Sequence, residues 1–244
     1  MNKKKTAIIG ILLIILGICG CLYYSKMDKD VLVYDETKEI KEKYEALNGT
    51  VRESDKATYQ NITIDETIEI DVLNAMEATK FIKEESGILF IGAPWCPWCR
   101  NALPVLMDVA KDNNMVIKYL DITDIRNVYS IKDGKLTKTQ KEGEGYYELL
   151  EALDSVLGDE TYKLEDENGK VYDTKEKRIY MPSTIAIKNG NIEGTHVSTV
   201  ELNESQTKYD KLDKNQITEL KSIYQDLINK TKGLNVCTGE ALCD

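Results

Sequence analysis

Gly87-Ile88-Leu89-Phe90-Ile91-Gly92-Ala93-Pro94-Trp95-Cys96-Pro97-Trp98-Cys99-Arg100 is the stretch on which the fold turns. Ile88 to Ile91 is short, continuously apolar and bracketed by glycines, the pattern of a strand buried on both faces. After the cysteines, Cys99, Ala102, Leu103, Leu106, Val109 and Ala110 form one stripe of an amphipathic helix, and Met115 to Ile122 reads as a further strand. Strand, helix and strand make a βαβ unit with a right-handed crossover and parallel strands. The two cysteines fall at its first junction.

That placement carries chemistry. The first sulfur of a Cys-x-x-Cys at a strand-to-helix junction sits beside unpaired helix N–H groups and the positive end of the helix dipole, which favour a thiolate. An ordinary thiol with a pKa near 8.5 is only about 3% ionised at pH 7, and a fall of roughly 1.5 units makes it half ionised. The gain in attack rate is smaller, because a less basic sulfur is a weaker nucleophile. Pro97 takes the first helical position, where its fixed φ suits the helix and its missing N–H costs nothing. Cys96 is expected to be exposed and to attack, and Cys99, one turn on and on the apolar stripe, to be shielded and to resolve. Trp95 and Trp98 supply a flat apolar platform beside them.

On either side of this unit the signals continue: strand signals lie near Ile62 to Ile70, and a helix is predicted from about Asp71 to Glu85 with Val72, Ala75, Met76 and Ile82 on one face. The pattern weakens beyond Asp124 until a third amphipathic helix at Glu142 to Leu157. Hairpins are predicted at Tyr162 to Tyr172 and Thr184 to Ile192, turning at Asn168-Gly169 and Asn189-Gly190, dipeptides that accept positive φ. A last helix begins at Asp213, with Gln216 three residues on completing a capping box. The fold class is α/β: a mixed sheet flanked by helices.

Together these features resemble the thioredoxin superfamily. Trp95 stands before the first cysteine and Pro104 five residues past the second, as in that family. Met181-Pro182-Ser183-Thr184-Ile185-Ala186-Ile187-Lys188-Asn189-Gly190 is similar, without gaps, to its cis-proline strand and hairpin. The resemblance implies a cis bond before Pro182, and a Met181 backbone that faces Cys96 and pairs with an extended substrate; a proline that merely begins a strand is the alternative. It implies thiol-disulfide exchange on protein or peptide cysteines, without a cofactor, as oxidase, isomerase or reductase. Three departures accompany it. The interval from Cys99 to Pro182 is about twice the family's and holds an insertion within 124–180. Phe90 stands where the family keeps a buried acid. Lys118, matching a family lysine, points either inward or to solvent.

The N-terminus bears on compartment. Lys3-Lys4-Lys5 precede an uncharged stretch from Thr6 to Ser25; at 1.5 Å per residue, Thr6 to Tyr24 covers roughly 28 Å, near the hydrocarbon thickness of a bilayer. The lysines place the N-terminus in the cytoplasm and the rest outside. Ile18-Cys19-Gly20-Cys21 resembles a bacterial lipobox, so an uncleaved anchor and a signal cleaved before a lipidated Cys21 both fit, with the same topology. With this anchor, the segment from Cys96 to Leu106 resembles membrane-anchored thioredoxin-like proteins of Gram-positive bacteria, the bacteriocin-transport accessory and thiol-disulfide isomerase type. A membrane redox partner and an export-accessory role that only binds peptides follow as further expectations.

The domain reading is therefore an anchor at 1–25, a charged stalk with one helix at 26–60, the thioredoxin-like domain at 61–232 and a tail at 233–244. Cys237 and Cys243 in the tail fit a local structural disulfide, worth roughly 2 kcal/mol by chain entropy; electron shuttling to Cys96 and Cys99, or a shared zinc, are the alternatives. Composition excludes other classes. A formal charge of -10, with 42 acids against 32 bases, repels phosphate backbones and disfavours nucleic-acid binding. A single histidine, His196, rules out a multi-histidine metal centre and leaves a serine triad one imidazole. His196 reads as an ordinary strand-end residue.

Overall fold

The computed structural model describes residues 36–233. The expected anchor, Cys19, Cys21, Cys237 and Cys243 lie outside the described residues; among those described, no helix is long and apolar enough to cross a membrane. A helix α1 (residues 36–45) leads into β1 (Ile70–Val72), α2 (Ala75–Glu84), β2 (Gly87–Gly92), α3 (Pro97–Asp112) and β3 (Ile117–Asp121). The hairpin β4 (Val128–Lys132) and β5 (Lys135–Gln140), α4 (Tyr146–Ala152), α5 (Asp154–Leu157) and the hairpin β6 (Lys163–Glu165) and β7 (Val171–Asp173) follow. The chain closes with β8 (Ser183–Lys188), β9 (Asn191–Val197) and α6 (Lys214–Lys232).

Five strands form one mixed sheet in the order β1-β3-β2-β8-β9. β1, β3 and β2 are parallel, with Ile88 opposite Ile117; β8 runs antiparallel to β2, and β9 to β8. As its apolar run requires, β2 is buried on both faces. Ile88 and Phe90 join the core layer with α1, α3 and α6, whereas Leu89 and Ile91 join the layer with α2 and α4. Capping boxes start two helices, Asn74 with Glu77 for α2 and Asp213 with Gln216 for α6. At the β8–β9 turn both Asn189 and Gly190 take positive φ. At the β6–β7 turn only Gly169 does, because the Asp166 carboxylate accepts from the Asn168 and Lys170 N–H groups and closes a longer loop.

Four expectations need correction. The strand expected at Ile62 to Ile70 shortens to β1, and α2 starts at Ala75, because residues 70–72 are taken by pairing with β3; Met76 is accordingly 48% exposed. The long helix at 142–157 breaks at Leu153 into α4 and α5. The β4–β5 hairpin occupies a stretch where no element was expected. Most consequentially, residues 36–60 are no stalk. Ile40 and Tyr44 of α1 are fully buried in the same core as α3, and the Tyr44 hydroxyl meets that of Tyr119 at 3.3 Å. The two apolar residues of α1 sit one turn apart, which suffices to seat a charged helix.

Candidate active site

β2 ends at Gly92, and Ala93 to Trp95 turn the chain so that Cys96 caps α3 with Pro97 in its first turn. The Cys96 N–H donates to the Ala93 carbonyl and the Arg100 N–H to the Cys96 carbonyl, both at 3.1 Å. Two arginines hold this turn from behind. Arg52 donates to the Trp95 carbonyl at 3.2 Å while its guanidinium lies between the Tyr59 and Tyr209 rings. Arg100, 1% exposed, donates through Nη1 to the Tyr44 and Pro94 carbonyls and through Nη2 to Asn48 Oδ1 and the Gln60 carbonyl. On the open side, Trp95 Nε1 donates to Thr123 Oγ1 at 2.9 Å, and that hydroxyl donates to Asp121.

Both cysteines are free thiols. Cys99 is sealed, as expected, but Cys96 is only 4% exposed, contrary to expectation. The partly buried Trp95, Trp98 and Met181 pack against the core layer to which Cys96 belongs. The sulfur is nonetheless acidified. The Cys99 thiol donates to Cys96 and contributes most, the backbone N–H groups of Cys99 and Trp98 at the start of α3 add to it, and the Arg126 charge helps, all against the opposing effect of burial. Burial pushes Cys99 well up, and the neighbouring Cys96 raises it further. The pair thus divides into an ionisable outer sulfur and a protonated inner one.

The Met181–Pro182 bond is cis. The Met181 carbonyl lies 3.8 Å from Cys96 Sγ, which donates to it. Pro182 is buried, and the Pro182 carbonyl accepts from the Ser198 N–H at 2.8 Å. The structure therefore brings Trp95, Cys96, Pro97, Trp98, Cys99, Met181 and Pro182 to one end of the sheet. Lys118 is elsewhere: it pairs with Asp71 and lies 5.8 Å from the Phe81 ring centroid, in register with Leu89 of the α2 layer. Beneath Cys99, Phe90 stacks on Tyr119, with 5.8 Å between ring centroids, where a carboxylate was absent from the sequence. His196, next to last in β9, has Nε2 3.1 Å from the Thr199 carbonyl and its ring edge-on to Tyr224. Among the described residues, no cluster of metal-ligating side chains occurs.

Three residues escaped sequence reasoning. The Asp121 charge reaches Cys99 and raises it further. Arg126 acts on Cys96 from the loop after β3, and Arg178 stands three residues before Met181. No motif marks any of them; only their position at the C-terminal ends of β3 and of the insertion does.

Residues 41–130 match the family model described as Thioredoxin, a match that begins within α1 and contains both cysteines. Among solved structures, the chain is similar to oxidized mitochondrial thioredoxin 3 from Saccharomyces cerevisiae, at 14% identity over 53% of this chain and 83% of that one, with a TM-score of 0.30. It is also similar to oxidized thioredoxin O2 from Arabidopsis thaliana, at 17% identity over 65% of this chain and 94% of that one, with a TM-score of 0.32. No curated protein matches. The chain carries a thioredoxin-like α/β domain.

Proposed function

We propose that this protein is a thiol-disulfide oxidoreductase of protein or peptide cysteines, tethered to the membrane and facing outside the cytoplasm. The observation that carries the reading is the acidified Cys96 sulfur, held between the start of α3, the Cys99 thiol and the Met181 carbonyl. The thioredoxin-like fold supports the reaction class. The lysine-flanked apolar segment at 6–25 supports the location, with Cys21 as the lipidation site if that segment is cleaved.

In the reducing direction the Cys96 thiolate attacks one sulfur of a substrate disulfide. A bond forms between Cys96 and that sulfur, and the other substrate sulfur leaves as a thiolate and takes up a proton. Cys99 then loses its proton and attacks Cys96 Sγ. The Cys96–Cys99 disulfide forms and the first substrate sulfur departs, so the substrate gains the two electrons that the pair loses. Oxidation is the same path reversed. Raising Cys99 and lowering Cys96 suits this order, because the inner thiol waits protonated until the mixed disulfide has discharged its neighbour. Met181 offers its carbonyl to an extended substrate segment. The likeness to bacteriocin-transport accessory proteins makes an exported peptide one candidate substrate, and a membrane protein the candidate source or sink of electrons.

The test is the pH dependence of Cys96 alkylation in the reduced protein. The rate should hold to a pH below that at which free cysteine falls away, about 8.5, and drop only as pH passes down through the lowered Cys96 value. The midpoint decides, since burial alone slows the absolute rate. A midpoint at the free-cysteine value removes the nucleophile. In cells, Cys99→Ala should accumulate mixed disulfides, whereas a Cys96→Ala, Cys99→Ala protein that keeps its cellular role would assign a peptide-binding export accessory instead.

A further inference from the structure

The insertion brings two arginines to the cysteine end of the sheet and leaves them unmatched. Arg126 lies in the loop after β3, the same loop whose Thr123 holds the Trp95 indole. Arg178 lies in the run that leads into Met181 and Pro182. Arg126 Nε and Arg178 Nη1 are both buried and without a hydrogen-bond partner. Among the described residues, no carboxylate stands within ion-pair distance of either guanidinium, although acids outnumber bases 42 to 32 in the chain. The lysines around them are paired: Lys138 with Glu142 and Glu176, and Lys177 with Asp154.

Their positions are held rather than incidental. Gln140 Nε2 donates to the Thr123 carbonyl at 2.9 Å and the Arg126 carbonyl at 2.7 Å, fixing the first loop to β5. Asn127 Nδ2 donates to Glu176 at 2.5 Å, joining that loop to the run carrying Arg178. The Arg178 guanidinium lies 3.8 Å from the Tyr162 ring centroid. Burial, and then the Arg178 charge, pull Arg126 below the usual guanidinium value, while Cys96 feels the Arg126 charge in turn. Two partly buried like charges, each with an unpaired N–H, are costly unless an anion enters between them. A planar guanidinium receives a carboxylate through parallel hydrogen bonds, the strongest match in its repertoire.

We infer that Arg126 and Arg178 form a clasp for a substrate carboxylate beside Cys96, so that preferred substrates carry an acidic group next to the reacting cysteine. This rests on the oxidoreductase reading for its chemistry but not for its recognition. The carboxylate comes either from an Asp or Glu side chain or from a chain terminus directly after the cysteine.

The test compares exchange of the full protein with peptide disulfides that are amidated with Glu beside the cysteine, amidated with Gln there, or carry Gln and a free terminal carboxylate adjacent to the cysteine. The Glu peptide should exceed the Gln peptide in kcat/KM by about tenfold, and the ratio should fall toward one in Arg126→Gln, in Arg178→Gln and in 1 M salt. A gain for the free-terminus peptide without one for the Glu peptide identifies a chain end as the ligand, and equal gains show that either carboxylate is received. Equal rates for all three peptides overturn the clasp and leave the oxidoreductase standing. If no peptide exchanges, the oxidoreductase reading fails, and calorimetric binding of the reduced peptides to a Cys96→Ser, Cys99→Ser protein still decides: a Glu preference supports the clasp, and equal affinities overturn it.

Discussion

Residues 36–60 and residues 124–180 are both charge-rich, and by composition both read as attachments to a sheet domain. They differ in where their polar groups end. The first segment turns its carbonyls inward, and Tyr44, Asn48 and Gln60 join Pro94 in occupying both terminal nitrogens of Arg100, leaving only Nε over. The second segment pairs Lys138 and Lys177 with its own acids and leaves Arg126 and Arg178 without a protein acceptor among the described residues. One region uses a buried cation as scaffold under the cysteines, and the other presents cations toward whatever approaches them. Charge content does not separate these roles; the number of acceptors that converge on each guanidinium does.

The sharpest way to break this contrast is to remove one arginine from each region. Arg100→Met removes four hydrogen bonds from a side chain 1% exposed and is expected to cost about 3–5 kcal/mol in urea unfolding. Arg178→Gln, which removes none, is expected to stay within about 1 kcal/mol of the parent. Comparable losses would erase the distinction between scaffold and presented cations. A smaller effect probes α1 itself. Ile40→Ala should lower stability by about 3 kcal/mol, because a methyl-rich side chain 1% exposed leaves a cavity; no change would restore the stalk. Smaller than the loss at Ile40 is the one expected in the insertion's outer hairpin. Gly134 has a φ of +67° in the β4–β5 turn, so Gly134→Val should cost the hairpin about 1–2 kcal/mol. Amide exchange should quicken in Val128–Gln140, while the sheet amides of Gly87–Gly92 keep their protection.

Much of the central unit was legible. The glycine-bounded run of β2, the stripe of α3 and the capping residue Asp213 are local signals that tertiary structure had no reason to override, whereas the cap of α2 at Asn74 went unread. The Asn189-Gly190 turn was legible for the same reason. What escaped depends on partners distant in sequence. Ile40 and Tyr44 are too few to announce burial until α3 and β3 are placed beside them. Asp133-Gly134 was a turn signal in plain view, but β4 and β5 are half-buried, and their Lys, Thr and Ser residues blur the alternation that marks a strand. At the site, the helix-start N–H groups beside Cys96 follow from the motif's placement, while the largest acidifying contact, Cys99 to Cys96, and the Arg126 charge need three dimensions. The expectation of an exposed Cys96 failed because the folds of chain around it, Met181 included, cannot be read from the motif.

Phe90 and Gly92 point from the same strand face, and a Cβ on Gly92 would lie 2.5 Å from the Phe90 ring and 3.3 Å from Cys99 Sγ. An aromatic ring has taken up the volume in which residue 92 would otherwise carry a side chain. The two positions are therefore expected to drift as a couple among descendants of this sequence: a lineage that trades the ring for a short residue at 90 gains freedom at 92, and one that keeps the ring stays bound to glycine.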